Sequence, residues 1–229
     1  MIPVIGIVHY KDPIVTENCL RTIPDDIYYE MVIVDNTDEA NAPAHVKPDA
    51  RMIRFRGNMG VAHAWNTIIK ATPHARWWML CNNDIEFIRK DFERMETAMM
   101  ANDIVKMGGF EAFGIHRRVV KEVGWFDESF HPAYCEDNDY QHRVEQTDLK
   151  HHWMHGPFKH LGSNTIRSDP ALRERNNETY PSNVRYYLSK WGGEMGREIY
   201  TTPFNKGEQW PVTPDIDRLA QLAWRPAQE

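Results

Sequence analysis

Three groups of side chains in this sequence have types and spacings that could do chemistry. The first is Asn82-Asn83-Asp84, two amides and a carboxylate that follow directly on the apolar run Trp77-Trp78-Met79-Leu80-Cys81. An apolar run of strand length with a polar end suits a strand covered on both faces, where alternation is lost. Asp84 would then stand at the carboxyl end of a strand, the place where open α/β sheets bind ligands. Asn-Asn-Asp is equally ordinary chemistry for leaving a strand, and this stretch alone does not choose. The second group is Glu136-Asp137-Asn138-Asp139, ahead of Tyr140 and Val144, which lie one helical turn apart. One acid complements the dipole and free amides of a helix N-terminus. Three acids in four positions repel one another and require a counter-charge. The third group is histidine-rich: His151, His152, His155 and His160, interleaved with Trp153 and Phe158. Structural zinc is not expected there, since no cysteine lies nearby and adjacent histidines in a strand point to opposite faces. His160 stands apart, because Leu161-Gly162-Ser163-Asn164-Thr165 behind it reads as a polar loop able to approach a ligand.

The elements that must position these groups alternate. Val4 to Val8 reads as a first strand ending in His9-Tyr10-Lys11-Asp12, with Pro13 placed to start a helix that carries Val15, Cys19 and Leu20 inward. A second strand, Tyr29 to Val34, gives way to Asp35-Asn36-Thr37-Asp38, and a loop with Pro43 and Pro48 leads to a short strand at Met52 to Phe55. Gly57-Asn58-Met59-Gly60 opens a helix that begins at Val61 and contains Asn66; the 77–81 strand follows. Phe92, Met95, Met99 and Met100 mark another helix, with methionines at core spacing. Phe110 to Ile115 suits a strand, and Val119, Val120 and Val123 suit a short helix ending at Gly124. Alternation of this kind predicts an α/β fold with a mainly parallel sheet and right-handed crossovers. Beyond about Asn176 a helical stretch, Val184 to Trp191, is closed by Gly192-Gly193, and a proline-punctuated tail brings Leu219, Leu222 and Trp224 back to the body. The expected organisation is a main domain over 1–175 and a helical C-terminal extension over 176–229.

The 229 residues can bury a sizeable core, and a formal charge of -6 with 26% charged residues lacks the basic excess of a dedicated nucleic-acid binder. Cys19, Cys81 and Cys135 have no metal-type spacing, and an odd number is a poor disulfide framework. With no basic leader and no apolar stretch of membrane-spanning length, the expected location is cytoplasmic.

The chain resembles the family-two glycosyltransferases of the GT-A fold, in particular the rhamnosyltransferase-like branch whose central motif reads Asn-Asn-Asp instead of Asp-X-Asp. The resemblance runs over about residues 3 to 191. It is carried by Gly124-Trp125-Phe126-Asp127-Glu128-Ser129-Phe130, then Tyr134-Cys135-Glu136-Asp137-Asn138-Asp139-Tyr140 with Arg143. Val34-Asp35-Asn36, Asn58-Met59-Gly60 with Asn66, Asn82-Asn83-Asp84 and His160 support it.

The resemblance implies an inverting, metal-dependent hexosyl or deoxyhexosyl transferase that uses a UDP-, dTDP- or GDP-linked sugar. In such enzymes Mn2+ or Mg2+ stabilises the departing diphosphate. Carried over, the metal ligands are Asp84 and His160, with Asn82 a neutral contributor. Asn82 in place of a carboxylate leaves the ion held largely by the donor's own phosphates. His9, Tyr10, Asp35 and Asn36 would hold base and ribose, and residues 57–66, with Gly60 and Asn66, would close around the nucleotide, next to Asn82 and Asn83. Asp137 would be the catalytic base and Glu136 its reserve. Its position at a helix N-terminus is expected to keep it ionised, at the expense of basicity. Trp125 and Asp127 would shape the sugar or acceptor pocket, with core packing the competing account of Trp125. The acceptor could be a glycan, protein, lipid or modified nucleobase in DNA; a catalytically silent nucleotide-sugar-binding protein is the rival of another class.

Overall fold

A computed structural model describes residues 2–37, 47–155, 158–160, 169–207 and 215–223. Its centre is a seven-stranded sheet in the order β3-β2-β1-β4-β7-β6-β8. The strands are β1 (Val4–His9), β2 (Glu30–Asp35), β3 (Arg51–Arg54), β4 (Trp77–Asn82), β6 (Ile104–Met107), β7 (Gly109–His116) and β8 (His151–Met154). Strands β1 to β4 are mutually parallel, β8 pairs parallel with β6, and β7 runs against both its neighbours. The fold is therefore α/β with a mainly parallel sheet, as the alternation predicts. The antiparallel member arises because β6 and β7 are joined only through Gly108, and a connection that short cannot make a crossover. β6, four residues long, had no periodic signal of its own.

Adjacent tryptophans on β4 go to opposite faces, as the period of two requires. Trp78 and Leu80 join Trp65, Phe113, Phe126 and Tyr140 in one core layer, beneath α2 (Val61–Ala71), α4 (Arg117–Val123) and α5 (Glu136–Glu145). Trp77, Met79 and Cys81 join Cys19, Leu20, Phe92, Met95 and Met99 in the other, beneath α1 (Pro13–Thr22) and α3 (Arg89–Met99). Helix α1 starts where the sequence says it should. Asp12 caps it by accepting from the amides of Ile14 and Val15 at 3.0 and 3.3 Å, and Pro13 occupies its first turn.

Two features matter for the site. Immediately after β4, β5 (Ile85–Glu86) pairs antiparallel with β9 (Lys159–His160) in a small separate ribbon, opposing Ile85 to His160. The C-terminal helix α6 (Pro170–Trp191) begins earlier than its apolar stretch suggests, with Asp169 as N-cap and Gly192 as a left-handed C-cap. It runs unbroken through 175/176, so the main body and the extension share one helix. The last helix, α7 (Ile216–Ala223), returns to α4: Ile216 is buried in the core and Asp217 bonds Arg117 at 2.8 Å. Leu161 to Thr165, Pro43 and Trp224 lie outside the described residues. No described helix is long and apolar enough to cross a membrane.

Candidate functional site

A cleft of about 270 Å³ opens beside the carboxyl ends of β1, β2 and β4. Of the residues singled out in the sequence, Tyr10, Asn36, Asn82, Asn83, Asp84, Glu136, Asp137 and His160 line it together. They come from β4, two strand-end loops, the β5–β9 ribbon and the start of α5. The antiparallel course of β7 brings its first residues to the same edge, which is how Phe110 and Glu111 reach the cleft.

The nucleotide-side residues divide in two. Asn36 donates to Asn58 Oδ1 at 3.1 Å and accepts from the Met59 amide at 2.7 Å, which clasps the end of β2 to the loop before α2. His9 is fully buried and does not line the cleft; its Nδ1 lies 2.7 Å from Thr16 Oγ1, which also accepts from Asn83 Nδ2 at 2.8 Å. Asp35 is buried and accepts from the amide and hydroxyl of Thr37 at 3.2 and 2.6 Å. Both therefore stand behind the wall and shape it. Gly60 has φ +89°, and a Cβ there would meet His131 Cδ2 at 3.0 Å and the Pro132 carbonyl at 3.2 Å. The close approach that Gly60 permits here is to the turn 131–132, to which Val61 also donates its amide at 2.9 Å.

At the β4 end, His160 Nε2 lies 3.3 Å from Asp84 Oδ1. The Asp84 carboxylate, accepting from the imidazole, holds the His160 pKa above its ordinary value, against the opposing effect of burial. One carboxylate and one imidazole thus face the cleft side by side. Among the described residues no group of three His, Cys, Asp or Glu side chains could hold a metal ion alone. The described lining nevertheless contains four carboxylates, Asp84, Glu111, Glu136 and Asp137, and no lysine or arginine. A cation would ease the entry of a phosphate to such a surface. The residues present fit a divalent ion that takes one or two protein ligands and completes its shell from phosphate and water.

The acidic end is built by the turn 131–135 and by α5. Tyr134 and Cys135 both have left-handed backbones, φ 75° and 76°, a strained conformation of the kind that clusters at functional sites. Asn183 of α6 holds the turn in place, its Nδ2 reaching the carbonyls of Ala133 at 3.0 Å and Tyr134 at 3.3 Å. Burial pushes Glu136 well above the ordinary carboxylate range, and the neighbouring charges of Asp137 and Asp139 add to the shift. Burial also raises Asp137, with the Asn138 amide and the more distant Lys106 pulling the other way. This corrects the expectation that the helix N-terminus would depress it: desolvation outweighs the dipole. The counter-charge demanded by the three acids goes to Asp139, which Arg143 meets at 2.9 Å, Lys190 at 2.5 Å and the Trp191 indole at 2.9 Å.

Three further sequence candidates lie off the cleft lining. Asn66 Nδ2 donates to the Phe126 carbonyl at 2.9 Å and to Glu128 at 2.7 Å, while its Oδ1 accepts from the Phe126 amide at 3.0 Å. Asp127 is tied to Lys190 at 2.7 Å, the Tyr186 hydroxyl at 2.9 Å and the Ser129 amide at 2.9 Å. Trp125 packs half-buried on the core, with Lys70 over its ring at 4.9 Å. All three brace the turn that leads into α5. His151 and His152 are exposed on β8, at the edge of the sheet. Among the cleft residues that sequence reading did not assign a role are Glu111, Tyr134, Leu172 and Asn176. Tyr134 stands in the motif that carries the resemblance, and Leu172 and Asn176 form an i, i+4 pair on a helix too polar to attract notice.

No family model matches the chain. Over 101 residues it is 27% identical to a galactofuranosyl glycosyltransferase of Leishmania donovani, a match covering 43% of this chain and 23% of that protein. The crystal structure of S. aureus TarS superposes with a TM-score of 0.55 at 11% identity, over 68% of this chain and 35% of TarS. A shorter form of TarS, solved in complex with UDP, gives 0.48 at 11% identity over 67% and 58% of the two chains. This chain therefore spans about a quarter of the curated relative and about a third of that TarS chain, with which it shares the fold.

Proposed function

We propose that this protein is a glycosyltransferase that moves a sugar from a nucleoside diphosphate to an acceptor hydroxyl with inversion. The observation that carries the reading is the single cleft into which Asp84, His160, Glu136 and Asp137 converge from distant parts of the chain. The partial likeness to a protein named as a galactofuranosyl glycosyltransferase supports the class. In this reading Tyr10, Asn36 and Asn58 receive the nucleoside. Asp84 and His160 would hold Mn2+ or Mg2+ together with the diphosphate, and such an ion would supply charge neutralisation for the leaving group. Asp137 takes the proton of the acceptor hydroxyl; the acceptor oxygen bonds to the anomeric carbon as its bond to the diphosphate breaks on the opposite face. A proton affinity raised by burial makes Asp137 a stronger base than an ordinary aspartate.

The test is donor turnover with UDP-, GDP-, dTDP- and CMP-sugars, with and without manganese, in wild type and Asp137→Asn. The expected result is metal-dependent release of nucleotide that disappears in the variant while nucleotide binding, read by thermal shift, survives. Unchanged turnover in Asp137→Asn would refute the assignment of the base.

A further inference from the structure

Asn176 lies one turn after Leu172 on α6, and both side chains line the cleft. Asn176 is 8% exposed, and its Oδ1 has no hydrogen-bond partner among the described residues. Glu136 is 5% exposed in the same cleft, and its Oε2 also has none. A buried oxygen without a donor is costly, and native structures rarely leave one unless a ligand or water completes it. The chemistry of the missing partner follows from the surroundings. A phosphate would bring negative charge and further acceptors to a cleft that Glu136 and Asp137 also line. A neutral hydroxyl can donate to Asn176 Oδ1 and exchange a hydrogen bond with the Glu136 carboxyl in either direction. Tyr134 and Leu172 add ring and methyl surface suited to the C–H face of a pyranose or furanose.

We infer that Asn176, with Glu136, forms a subsite for a hydroxyl of the donor's sugar, which makes α6 part of the substrate-binding surface. The subsite rests on the glycosyltransferase reading and adds an orientation to it: diphosphate toward Asp84 and His160, sugar toward α5 and α6. Nothing in a nucleotide-binding wall alone would require Asn176.

The discriminating quantity is the ratio of the Kd of a nucleotide-sugar to that of its bare nucleotide. It is measured by calorimetry with manganese for UDP-galactose, UDP-glucose, GDP-mannose and dTDP-rhamnose against UDP, GDP and dTDP. For the conjugate that wild type turns over, the ratio should rise about tenfold in Asn176→Leu and in Asn176→Ala, the usual worth of a buried neutral hydrogen bond. Affinity for the bare nucleotide should stay at the wild-type value. A ratio unchanged in both variants overturns the subsite, and so does an equal loss of bare-nucleotide affinity, which would mark Asn176 as a structural residue. If no conjugate binds wild type, the glycosyltransferase reading falls and takes the subsite with it.

Discussion

Lys190 offers the sharpest test of how this fold holds α5 and the turn before it. Its side chain is fully buried, and its ammonium meets Asp127 at 2.7 Å and Asp139 at 2.5 Å, carboxylates that are themselves 4% and 0% exposed. Replacing it with the near-isosteric methionine, Lys190→Met, leaves two buried carboxylates without their common cation. Asp139 keeps Arg143 and the Trp191 indole, whereas Asp127 keeps only neutral donors, the Tyr186 hydroxyl and the Ser129 amide. Breaking a buried pair by removing one partner costs about 3–5 kcal/mol. For a chain of this size that corresponds to a fall in Tm of about 6–20 °C. Burial alone would raise Asp127, but the ammonium beside it prevails and holds it below its ordinary value. A depressed acid stabilises the native state above its unfolded pKa, and the stabilisation is lost as pH falls through the folded value. The gap between wild type and variant, read by urea unfolding, should therefore be widest near neutrality and narrow below about pH 4. As a control, Lys11→Met breaks the part-exposed pair with Asp169 and should cost no more than about 1 kcal/mol. A loss below about 1 kcal/mol for Lys190→Met as well would refute the reasoning, because it would place these carboxylates in water.

Two other outcomes follow from named contacts. Since burial lifts Asp137 above 3.8 and Lys106 works against the lift, the acid limb of kcat/KM should lie above 3.8 and move to higher pH in Lys106→Met. A limb that stays in place in that variant would show that Lys106 does not reach the base. Gly60→Ala puts a Cβ 3.0 Å from His131 at φ +89°, and should cost about 1–3 kcal/mol in urea unfolding; a neutral result would mean the turn 131–132 moves aside freely.

How much of this was legible in the sequence depended on whether a residue's role is local. Strand ends were legible, because an apolar run that stops at Asp35 or at Asn82 needs only its own neighbours to be recognised. The convergence of Asp84, Asp137 and His160 was legible through the resemblance, and the cleft contains all three. Asn66, Asp127 and Trp125 belong to the same motifs, yet they brace the turn before α5. A motif records that a residue is needed, and a bracing side chain is needed as much as one that touches substrate. Lys190 stands on the far side of the chain from Asp127 and Asp139, and no periodicity links a lysine to carboxylates that only tertiary packing brings to it. Helix α6 was half missed for a related reason. Its first turns are Arg-, Glu- and Asn-rich, and Asn176 and Asn183 occupy the buried positions where a pattern search looks for leucine.

The competition at the start of α5 could not be decided without the fold. A helix N-terminus stabilises a carboxylate and weakens it as a base; burial does the reverse. In this protein burial prevails at both Glu136 and Asp137. An acid raised in the native state binds more protons there than in the unfolded chain, so stability declines as pH climbs from the ordinary carboxylate range through the raised value. The first turn of α5 is thus a source of instability at neutral pH. The compensation lies two residues further on, where Asp139 is locked by Arg143, Lys190 and Trp191 from two helices. The positions that face the cleft are left short of partners, and the position that faces the core is saturated with them. A carboxylate raised by desolvation, as the proposed base Asp137 is, requires that division, since a close counter-charge would return it to an ordinary aspartate.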